Sequence, residues 1–546
     1  MQPEYTSQSI EHLGMVSAMF DELGIAEIIN KNLEQENSTK IVNAGQAVKA
    51  MVLNGLGFSQ RRLYLTPHFF ANKPVESLIG QGIEAKHLND DTLGEALDLI
   101  HGYGVNQLFN LIALRSIKVL GLQPKTVHDD ITSFHVDGAY NNQSNQSEVE
   151  AAGLVRISRG YSRDSKPALN QVALELISEH IAGIPVAMQV LSGCENDKTA
   201  FQASVKTHQS HLQSLGVRCV IKDSAGYTTQ SLINLQTAQQ LWIMRVPNTI
   251  KAVKTWIQTA NWTTQAEFKP LTDGYTYQIR DDDYAGVQQR WLLIHSQAAY
   301  KKEFSSTKKR LAAVSMLEFK TLTNLMQLEF NCESDARSAL ARLLPKLHHT
   351  QVIEVNVRQV EHYAKVGRPS KDSQATRVTY QLELSLASQA SALLELAWQG
   401  SLFVLGTNDL DRQALTDQMV LSEYKGQQKV EGGFRFLKDP MFLASTIFLK
   451  KVSRVMALLM VMTVCLLVYA ALEYRVRLVL QQHQVTVPDQ KGKGTSLPTA
   501  RWVFELMTDV HLLLIQGQER VVTLNLRYEV RRLLVLLGSG FTGAYP

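Results

Sequence analysis

Four polar side chains fall on one face of a helix predicted over residues 421–440. They are Tyr424, Gln427, Glu431 and Lys438. Their spacings of 3, 4 and 7 residues place them within roughly 60° of one another, at about 100° per residue. Carboxylates bind divalent cations, and amide and ammonium groups bind phosphate oxygens. The periodicity alone favours an ordinary amphipathic helix with a solvated polar face, and a binding face is the alternative.

The neighbouring face of this helix is apolar and would pack on a core, because it carries Val430, Phe434 and Leu437. Two glycines, Gly432 and Gly433, lie within the helix, where each costs about 1 kcal/mol against alanine. Their presence indicates that another group comes close to the helix backbone. A nucleic-acid strand would fit that description.

The polar face also resembles a known signature. Tyr-x2-Arg-x3-Glu-x6-Lys is typical of DDE transposases of the IS-four superfamily, and the chain is similar to it at Tyr424, Glu431 and Lys438. It departs from the signature at Gln427, where the family has arginine. The strings YKGQQKVE and FRFLKDP narrow the resemblance to bacterial insertion-sequence transposases with an extra N-terminal helical module. The resemblance covers most of the chain.

This family uses three catalytic carboxylates, and the resemblance implies Asp130, Asp223 and Glu431 here. Asp130 lies in HDDITSF, which matches the family's Asp-x-Thr-Ser pattern, and Asp223 ends the run VIKD. Asp129 competes with its neighbour, but adjacent strand residues point to opposite faces, so only one of the two enters the site. A lone aspartate at a strand end is usually a cap or turn residue. The match at 421–440 favours the catalytic interpretation.

The resemblance also implies two Mg²⁺ ions, which Mn²⁺ can replace. In such a reaction one ion activates the attacking water or 3′-hydroxyl, and the other stabilises the leaving oxygen of a phosphodiester displacement. Asp130 would bridge the ions, and Asp223 and Glu431 would each hold one. The residues expected to contact DNA are Tyr424, Gln427, Lys438, Arg435, Arg163 and Lys198. For Arg163 and Lys198 a turn or capping role is the alternative.

The elements that position these residues begin with strand patterns. Apolar or β-branched runs occur at TVHDDITSFHV, QVALELI, IPVAMQVL, VRCVIKD and LWIMRV, and a helical pattern separates the third from the fourth. Three strands, a helix and a further strand are the order of an RNase H-like fold. We therefore expect an α/β protein whose RNase H-like core, 123–247 and 401–480, is interrupted by a mainly β insertion domain, 248–400.

A small all-α domain is expected over 1–122, because apolar residues recur there every three and four positions. Asn43 and either Asp90 or Asp91 are the expected helix caps. In the resembling transposases a helical module at this position takes part in recognising the transposon ends. A packing or oligomerisation domain is the alternative, since no Arg/Lys-rich recognition helix stands out.

Two basic stretches of the insertion domain, 301–310 and 365–371, are predicted to be loops that hold phosphates, with solvated loops as the alternative. Residues 481–546 are predicted to form a polar linker followed by two helices. The pattern indicates no role for this last segment.

Composition favours a soluble chain of about three domains. The chain has 546 residues, 45% hydrophobic content and a net charge of +4, which is too small to identify a nucleic-acid binder. Its four cysteines have neither CxxC nor Cys/His spacing, so neither a structural zinc nor a disulfide framework is indicated. The chain opens without a signal-peptide pattern. We expect a cytoplasmic, nucleoid-associated protein.

Residues 455–472 form an uncharged run that is long enough to span a bilayer. The run is single, lies at the lower length limit and closely follows the 421–440 helix. We therefore expect a helix buried behind the active site and no membrane association, with a membrane anchor as the alternative.

These features predict a DNA transposase that binds the terminal inverted repeats of its own element as a homodimer. It would cleave at the ends and join the freed 3′-hydroxyl to target DNA. The alternatives are a catalytically inactive DNA-binding regulator, another RNase H-like nuclease, and a membrane-anchored protein.

Overall fold

The structure is a computed structural model that describes residues 5–33, 40–58, 63–136, 140, 153–159, 168–193, 195, 197–260, 262–364, 374–388, 390–439, 449–515 and 520–546. The β-strands are β1 (Tyr5–Ser9), β2 (Thr126–His135), β3 (Gln171–Glu179), β4 (Pro185–Ser192), β5 (Cys219–Lys222), β6 (Leu241–Val246), β7 (Lys269–Thr272), β8 (Tyr275–Tyr284), β9 (Val287–Ser296), β10 (Thr350–His362), β11 (Arg377–Ser388), β12 (Leu402–Thr407), β13 (Val487–Pro488), β14 (Gly494–Thr495), β15 (His511–Ile515) and β16 (Arg520–Leu524).

The α-helices are α1 (Leu13–Glu22), α2 (Ile25–Asn32), α3 (Ala44–Leu56), α4 (Thr66–Phe70), α5 (Val75–Leu78), α6 (Asp90–Tyr103), α7 (Val105–Val119), α8 (Asp197–Ser214), α9 (Thr229–Thr237), α10 (Lys251–Thr259), α11 (Gln297–Met326), α12 (Glu333–Leu343), α13 (Ala390–Gly400), α14 (Asp417–Lys425), α15 (Gln428–Leu437), α16 (Val452–Gln482), α17 (Ala500–Glu505), α18 (Tyr528–Leu537) and α19 (Ser539–Gly543).

The chain forms two compact units. Unit 1 comprises Met1–Met244, Asp283–Gln288 and Thr407–Pro546, and unit 2 comprises Arg245–Asp282 and Gln289–Gly406. Unit 2 occupies the interval in which the sequence predicts an insertion. The finer division of unit 1 into separate domains stays a prediction.

The large sheet of unit 1 has the strand order β4-β3-β2-β5-β6. β3 is antiparallel to both β2 and β4, whereas β5 is parallel to both β2 and β6. Parallel strands need a crossover, and α8 and α9 lie in the connections before and after β5. β3 is buried along its whole length, as its run of apolar residues requires. The expected α/β class is confirmed.

The uncharged run 455–472 lies within α16, inside unit 1. α16 contacts α1, α3, α6, α7, α15 and β4. Among the described residues it is the one helix long and apolar enough to cross a membrane, and 89% of its most apolar window is buried in the protein. A helix that is apolar on all sides can serve as the centre of a core. This placement agrees with the buried helix that the sequence predicts.

The first and last segments of unit 1 share a small sheet of order β1-β15-β16. The Tyr545 hydroxyl accepts a hydrogen bond from the Met15 amide at 3.1 Å and donates one to the Glu11 carbonyl at 2.6 Å. The prediction of two helices after residue 500 is wrong, because α17, the β15–β16 hairpin, α18 and α19 occupy this segment. Strands of five residues are too short for periodicity to separate them from helix.

The helix caps of the N-terminal region agree with the sequence at one of two positions. Asn43 caps α3 as predicted, since its side chain and that of Gln46 exchange hydrogen bonds with each other's backbone amides. α6 is capped by Asn89 and not by Asp90 or Asp91. Those two residues lie in the first turn, where a negative charge interacts favourably with the helix dipole.

Unit 2 is a mixed α/β body, so the prediction of a mainly β domain is wrong. Its strands are ordered β12-β9-β8-β7 in one sheet and β10-β11 in an antiparallel hairpin. The prediction of a loop at 301–310 is also wrong, because these residues lie in the 30-residue helix α11. The buried positions of α11 include Thr307 and Ser315, so its inner face lacks the apolar periodicity that marks a helix. The other basic stretch, 365–371, lies outside the described residues.

Candidate active site

Asp130 and Asp223 occupy neighbouring positions of the parallel β2–β5 pair. The register of this pair ends with Asp129 opposite Lys222. The next residues are Asp130 and Asp223, and the latter keeps extended backbone angles. Adjacent strands lie about 4.8 Å apart, and successive side chains alternate between faces. The sheet therefore brings two of the three predicted carboxylates side by side, both half-buried.

One oxygen of each carboxylate accepts a hydrogen bond from the backbone. Asp130 Oδ1 accepts from the Ile131 amide at 2.8 Å, and Asp223 Oδ1 accepts from the Ala225 amide at 2.8 Å. The second bond caps a short 3₁₀ helix, Ser224–Gly226. These bonds orient both carboxylates before any ligand arrives.

The helix predicted over 421–440 is in fact two helices, α14 and α15, which meet at Gly426 and Gln427. Both junction residues keep right-handed helical angles, but amides of this turn bond to the carbonyl three residues earlier. Glycine is required at this junction for a steric reason. A Cβ at Gly426 would lie 2.5 Å from the His180 ring and 2.8 Å from the His128 ring, so only glycine fits there.

α15 runs along β2 in the same direction. The junction glycine lies against His128, and the Lys438 ammonium, twelve residues later, lies 5.9 Å from the centre of the Phe134 ring. Twelve helical residues span about 18 Å and six strand residues about 20 Å, so the two elements advance together. Glu431 is consequently level with Asp130.

The rotation of α15 about its axis is set by contacts on two sides. Its buried face consists of Val430, Phe434 and Leu437. Lys429 Nζ donates to the carbonyl oxygens of His180 and Ile181, at 2.5 and 2.6 Å, in the turn between β3 and β4. Glu431 lies about 200° around the helix from Lys429. It therefore lies on the flank away from β3, on the side of β5 and Asp223, and it is exposed.

The structure describes four of the residues predicted to contact DNA, which are Tyr424, Gln427, Arg435 and Lys438. The tyrosine and the lysine are half-buried, and the arginine is exposed. Gln427 is only 8% exposed, because it lies between the polar flank and the sheet-facing side of the helix. Its role as a phosphate ligand stays a prediction that this burial disfavours. Arg163 and the side chain of Lys198 lie outside the described residues.

The sequence interpretation missed a histidine pair that holds the helix junction. His128 lies two residues before Asp130, on the same face of β2, and its Nε2 is 2.9 Å from His180 Nδ1. Glu423 Oε2 is 3.3 Å from the same Nδ1. Burial lowers the pKa of His128 to about 3, so the ring is neutral at pH 7. The His-x-Asp alternation was a signal for His128, but nothing local indicates a partner 52 residues away.

The donor chemistry of this face suits Mg²⁺ or Mn²⁺, which prefer oxygen ligands. Asp130 and Asp223 are adjacent, and Glu431 lies on the helix that runs along β2. Within the described ranges, no three His, Cys, Asp or Glu side chains are close enough to hold a metal ion as they stand. A metal ion bound by all three carboxylates would require Glu431 to move towards the two aspartates.

Comparison with known proteins gives limited similarity. A family described as a domain of unknown function, DUF4277, matches residues 5–114. No curated protein matches. Among solved structures, the chain is similar to a cryo-EM structure of the piggyBac transposase synaptic complex with hairpin DNA, with 10% identity, a TM-score of 0.38, and coverage of 92% of this chain and 82% of that one. A TM-score below 0.5 does not establish a shared fold.

Proposed function

We propose that this chain is a metal-dependent DNA transposase of the DDE type. It binds the terminal inverted repeats of its own element, cleaves the DNA ends by phosphodiester hydrolysis and transfers the 3′-hydroxyl strand into target DNA. The observation that supports the proposal is the adjacency of Asp130 and Asp223 across the β2–β5 register, together with the course of the Glu431 helix along β2. The strand order, three antiparallel strands followed by two parallel ones, supports an RNase H-like core.

The three carboxylates would hold two Mg²⁺ or Mn²⁺ ions. Bound metal supplies an activated water or 3′-hydroxyl and stabilises the leaving oxygen. The chain's own contribution is orientation: backbone amides fix both aspartates, and the histidine pair fixes the start of the helix that carries Glu431. Tyr424 of α14 and Lys438 at the end of α15 would contact phosphates of the transposon end.

The narrower parts of the proposal are membership of the IS-four superfamily, action as a homodimer on DNA, and a cytoplasmic, nucleoid-associated location. A catalytically inactive DNA-binding regulator or another RNase H-like nuclease is the second candidate. The presence of all three carboxylates favours an enzyme over a regulator. Strand transfer, as opposed to cleavage alone, separates a transposase from a nuclease.

The test uses the full chain, Mg²⁺ and a labelled duplex that carries the DNA flanking its gene. We expect nicking at the element end and, with target DNA present, joined products. Asp130→Asn, Asp223→Asn and Glu431→Gln should each lower the nicking rate by about 10³-fold or more, because each removes a charged ligand with little change in shape.

The matched control is Glu529→Gln, an exposed carboxylate on α18, outside the site. It should nick at the parent rate. Circular dichroism and binding to the duplex should be unchanged in all four variants. An Asp130→Asn protein that nicks the duplex as fast as the control would rule out the assignment.

A further inference from the structure

A buried ion pair lies directly behind the two aspartates of the candidate site. Lys222 Nζ contacts Asp129 Oδ2, and the two residues are register partners on β5 and β2. Asp129 has no exposed surface and Lys222 has 1%. The residues that follow them on the two strands are Asp130 and Asp223. The same pair of strands thus carries an ion pair on one face and the candidate metal ligands on the other.

The apolar residues of β5 do not determine its register against β2. The strand is four residues long, and Val220 and Ile221, which point to opposite faces, are both buried. A strand that is apolar on both faces can slide by one residue without exposing apolar surface. A slip of that kind would place Asp223 beside Asp129 or Ile131 in place of Asp130.

The ion pair distinguishes the correct register from the shifted ones. A one-residue slip would turn Lys222 to the face opposite Asp129 and leave both charges buried and unpaired, which is strongly unfavourable. Asp129 Oδ2 also accepts a hydrogen bond from Ser204 Oγ of α8 at 3.1 Å. Helix α8 therefore also holds Asp129 in place, in addition to the contact from β5.

The turn that carries Asp223 rests on the same lysine. A Cβ at Gly226 would lie 3.0 Å from Lys222 Cβ and 3.1 Å from Lys222 Cδ. Gly226 ends the 3₁₀ helix that Asp223 caps. The stem of Lys222 therefore supports the backbone that orients Asp223, while its ammonium group pairs with Asp129.

We infer that the Asp129–Lys222 pair consists of positioning residues, which set the β2–β5 register and thereby hold Asp130 and Asp223 side by side for metal binding. The inference rests on the proposed function only where it concerns metal binding. Its structural basis is the β2–β5 register and the buried contacts of Asp129 and Lys222.

The test replaces both charges at once with Asp129→Asn/Lys222→Met, since either single change leaves one buried charge unpaired and endangers folding. The asparagine can still accept the hydrogen bond from Ser204. Mn²⁺ binding is measured by water-proton relaxation, and hydrogen exchange is measured for amides 126–129 and 219–222. We expect at least tenfold weaker Mn²⁺ binding, faster exchange of these amides, and a lower kcat for nicking with an unchanged KM for DNA.

The control is Asp21→Asn/Lys49→Met, which removes a separate ion pair that contains a buried lysine. Lys49 lies on α3, and its Nζ lies 2.7 Å from Asp21 Oδ2 of α1. This variant should bind Mn²⁺ within twofold of the parent and keep slow exchange at 126–129 and 219–222. Equal Mn²⁺ affinity and equal exchange in the parent and in Asp129→Asn/Lys222→Met would overturn the inference.

Hydrogen exchange of the parent protein also tests whether the β2–β5 register is fixed. If the register is locked, amides 219–222 should exchange only through global unfolding, and exchange by local opening would overturn the inference. Exchange needs neither metal nor DNA. A parent protein that does not cleave DNA would overturn the proposed function alone, and the exchange results would still decide the role of the ion pair.

Discussion

Two adjacent aspartates of β2 have opposite environments because strand side chains alternate between faces. Asp130 is half-buried on the face that α15 covers, whereas Asp129 is fully buried behind it. Burial raises the pKa of Asp129 to about 6, although Lys222 opposes this shift. One position along the strand therefore separates a candidate metal ligand from a structural ion-pair partner. The resemblance favoured Asp130, and its role as a metal ligand stays a prediction.

Gln427 is the residue whose environment differs most from the expectation. The family signature has arginine there, and the sequence by itself predicts that Gln427→Arg strengthens DNA binding. With 8% exposure, the position would instead force a guanidinium into the core. We expect Gln427→Arg to lower the free energy of unfolding by about 1–3 kcal/mol and to leave the affinity for an end duplex unchanged.

The matched control is Gln428→Arg, which places the same charge one residue along at an exposed position. It should change the free energy of unfolding by less than about 0.5 kcal/mol. Urea unfolding and DNA titration at several salt concentrations measure both effects. A stable Gln427→Arg protein that binds DNA more tightly, with a steeper salt dependence, would show that position 427 faces DNA.

At the scale of elements, the two glycines of α15 have different surroundings. A Cβ at Gly433 would lie 3.0 Å from Leu466 Cδ2 of the buried helix α16, whereas a Cβ at Gly432 would have no atom within 4 Å. The close approach that the sequence indicates therefore comes from a neighbouring helix at Gly433. The approach of a nucleic-acid strand stays a prediction for Gly432, which faces open space.

Alanine substitution separates these two roles. Gly432→Ala should raise the free energy of unfolding by about 0.5–1 kcal/mol, because alanine is the better helix former and meets open space. Gly433→Ala should lose that gain, since Leu466 is buried and must give way by a few tenths of an ångström. Thermal and urea unfolding compare the two variants. Equal stabilisation by both would mean that α15 does not pack closely on α16.

At the scale of the whole molecule, the beginning and the end of the chain share a core in unit 1. His12 donates from Nε2 to the Leu56 carbonyl at 2.8 Å and stacks on Phe504 of α17 with ring centres 4.2 Å apart. Burial lowers the pKa of His12 to about 4. The ring is neutral in the folded protein at pH values where an exposed histidine becomes charged.

This difference predicts a pH dependence of stability. Between pH 6.5 and pH 4 the unfolded state binds the proton and the folded state does not, so stability falls as the pH falls. The loss from His12 is about 1.4 kcal/mol per pH unit, or roughly 3 kcal/mol in total. His12→Gln keeps a donor to Leu56 but does not titrate. Asp129, whose pKa is raised, contributes with the opposite sign in the same range, equally in both proteins.

Urea unfolding of the parent and of His12→Gln at pH 7, 6, 5 and 4 measures this effect. The difference in unfolding free energy between the two should shift in favour of the variant by about 1.4 kcal/mol per unit below pH 6.5. Parallel curves would mean that the His12 ring takes up its proton as readily in the folded protein as in the unfolded one.

The buried position of α16 makes a second prediction for the whole molecule. Leu466 is 4% exposed, whereas Val535 of α18 is 62% exposed. Leu466→Glu should cost several kcal/mol and make the protein insoluble, because it buries an unpaired charge. Val535→Glu, the control, should change stability by less than about 0.5 kcal/mol. Parent protein that sediments with membranes and requires detergent for release would favour the membrane-anchor alternative.

The sequence by itself determined those features that local pattern encodes. The five strands of the unit 1 sheet, α8, the Asn43 cap and the burial of the 455–472 run all follow from side-chain periodicity and capping chemistry, which are properties of residues close together in the chain. The three candidate carboxylates came from a resemblance carried by short motifs. The structure places Asp130 and Asp223 side by side and Glu431 on a helix that runs along β2, and their catalytic role stays a prediction.

Only the tertiary structure decided what depends on distant contacts. The candidate helix is divided at Gly426, which lies too close to the His180 ring for a Cβ to fit, and Gln427 is buried in the same turn. The C-terminal hairpin forms because β1, about 500 residues earlier, supplies a pairing edge. α11 was missed because its buried side carries Thr307 and Ser315. Periodicity reports how polar each side of a segment is, and the partner that packs against that side is specified elsewhere in the chain.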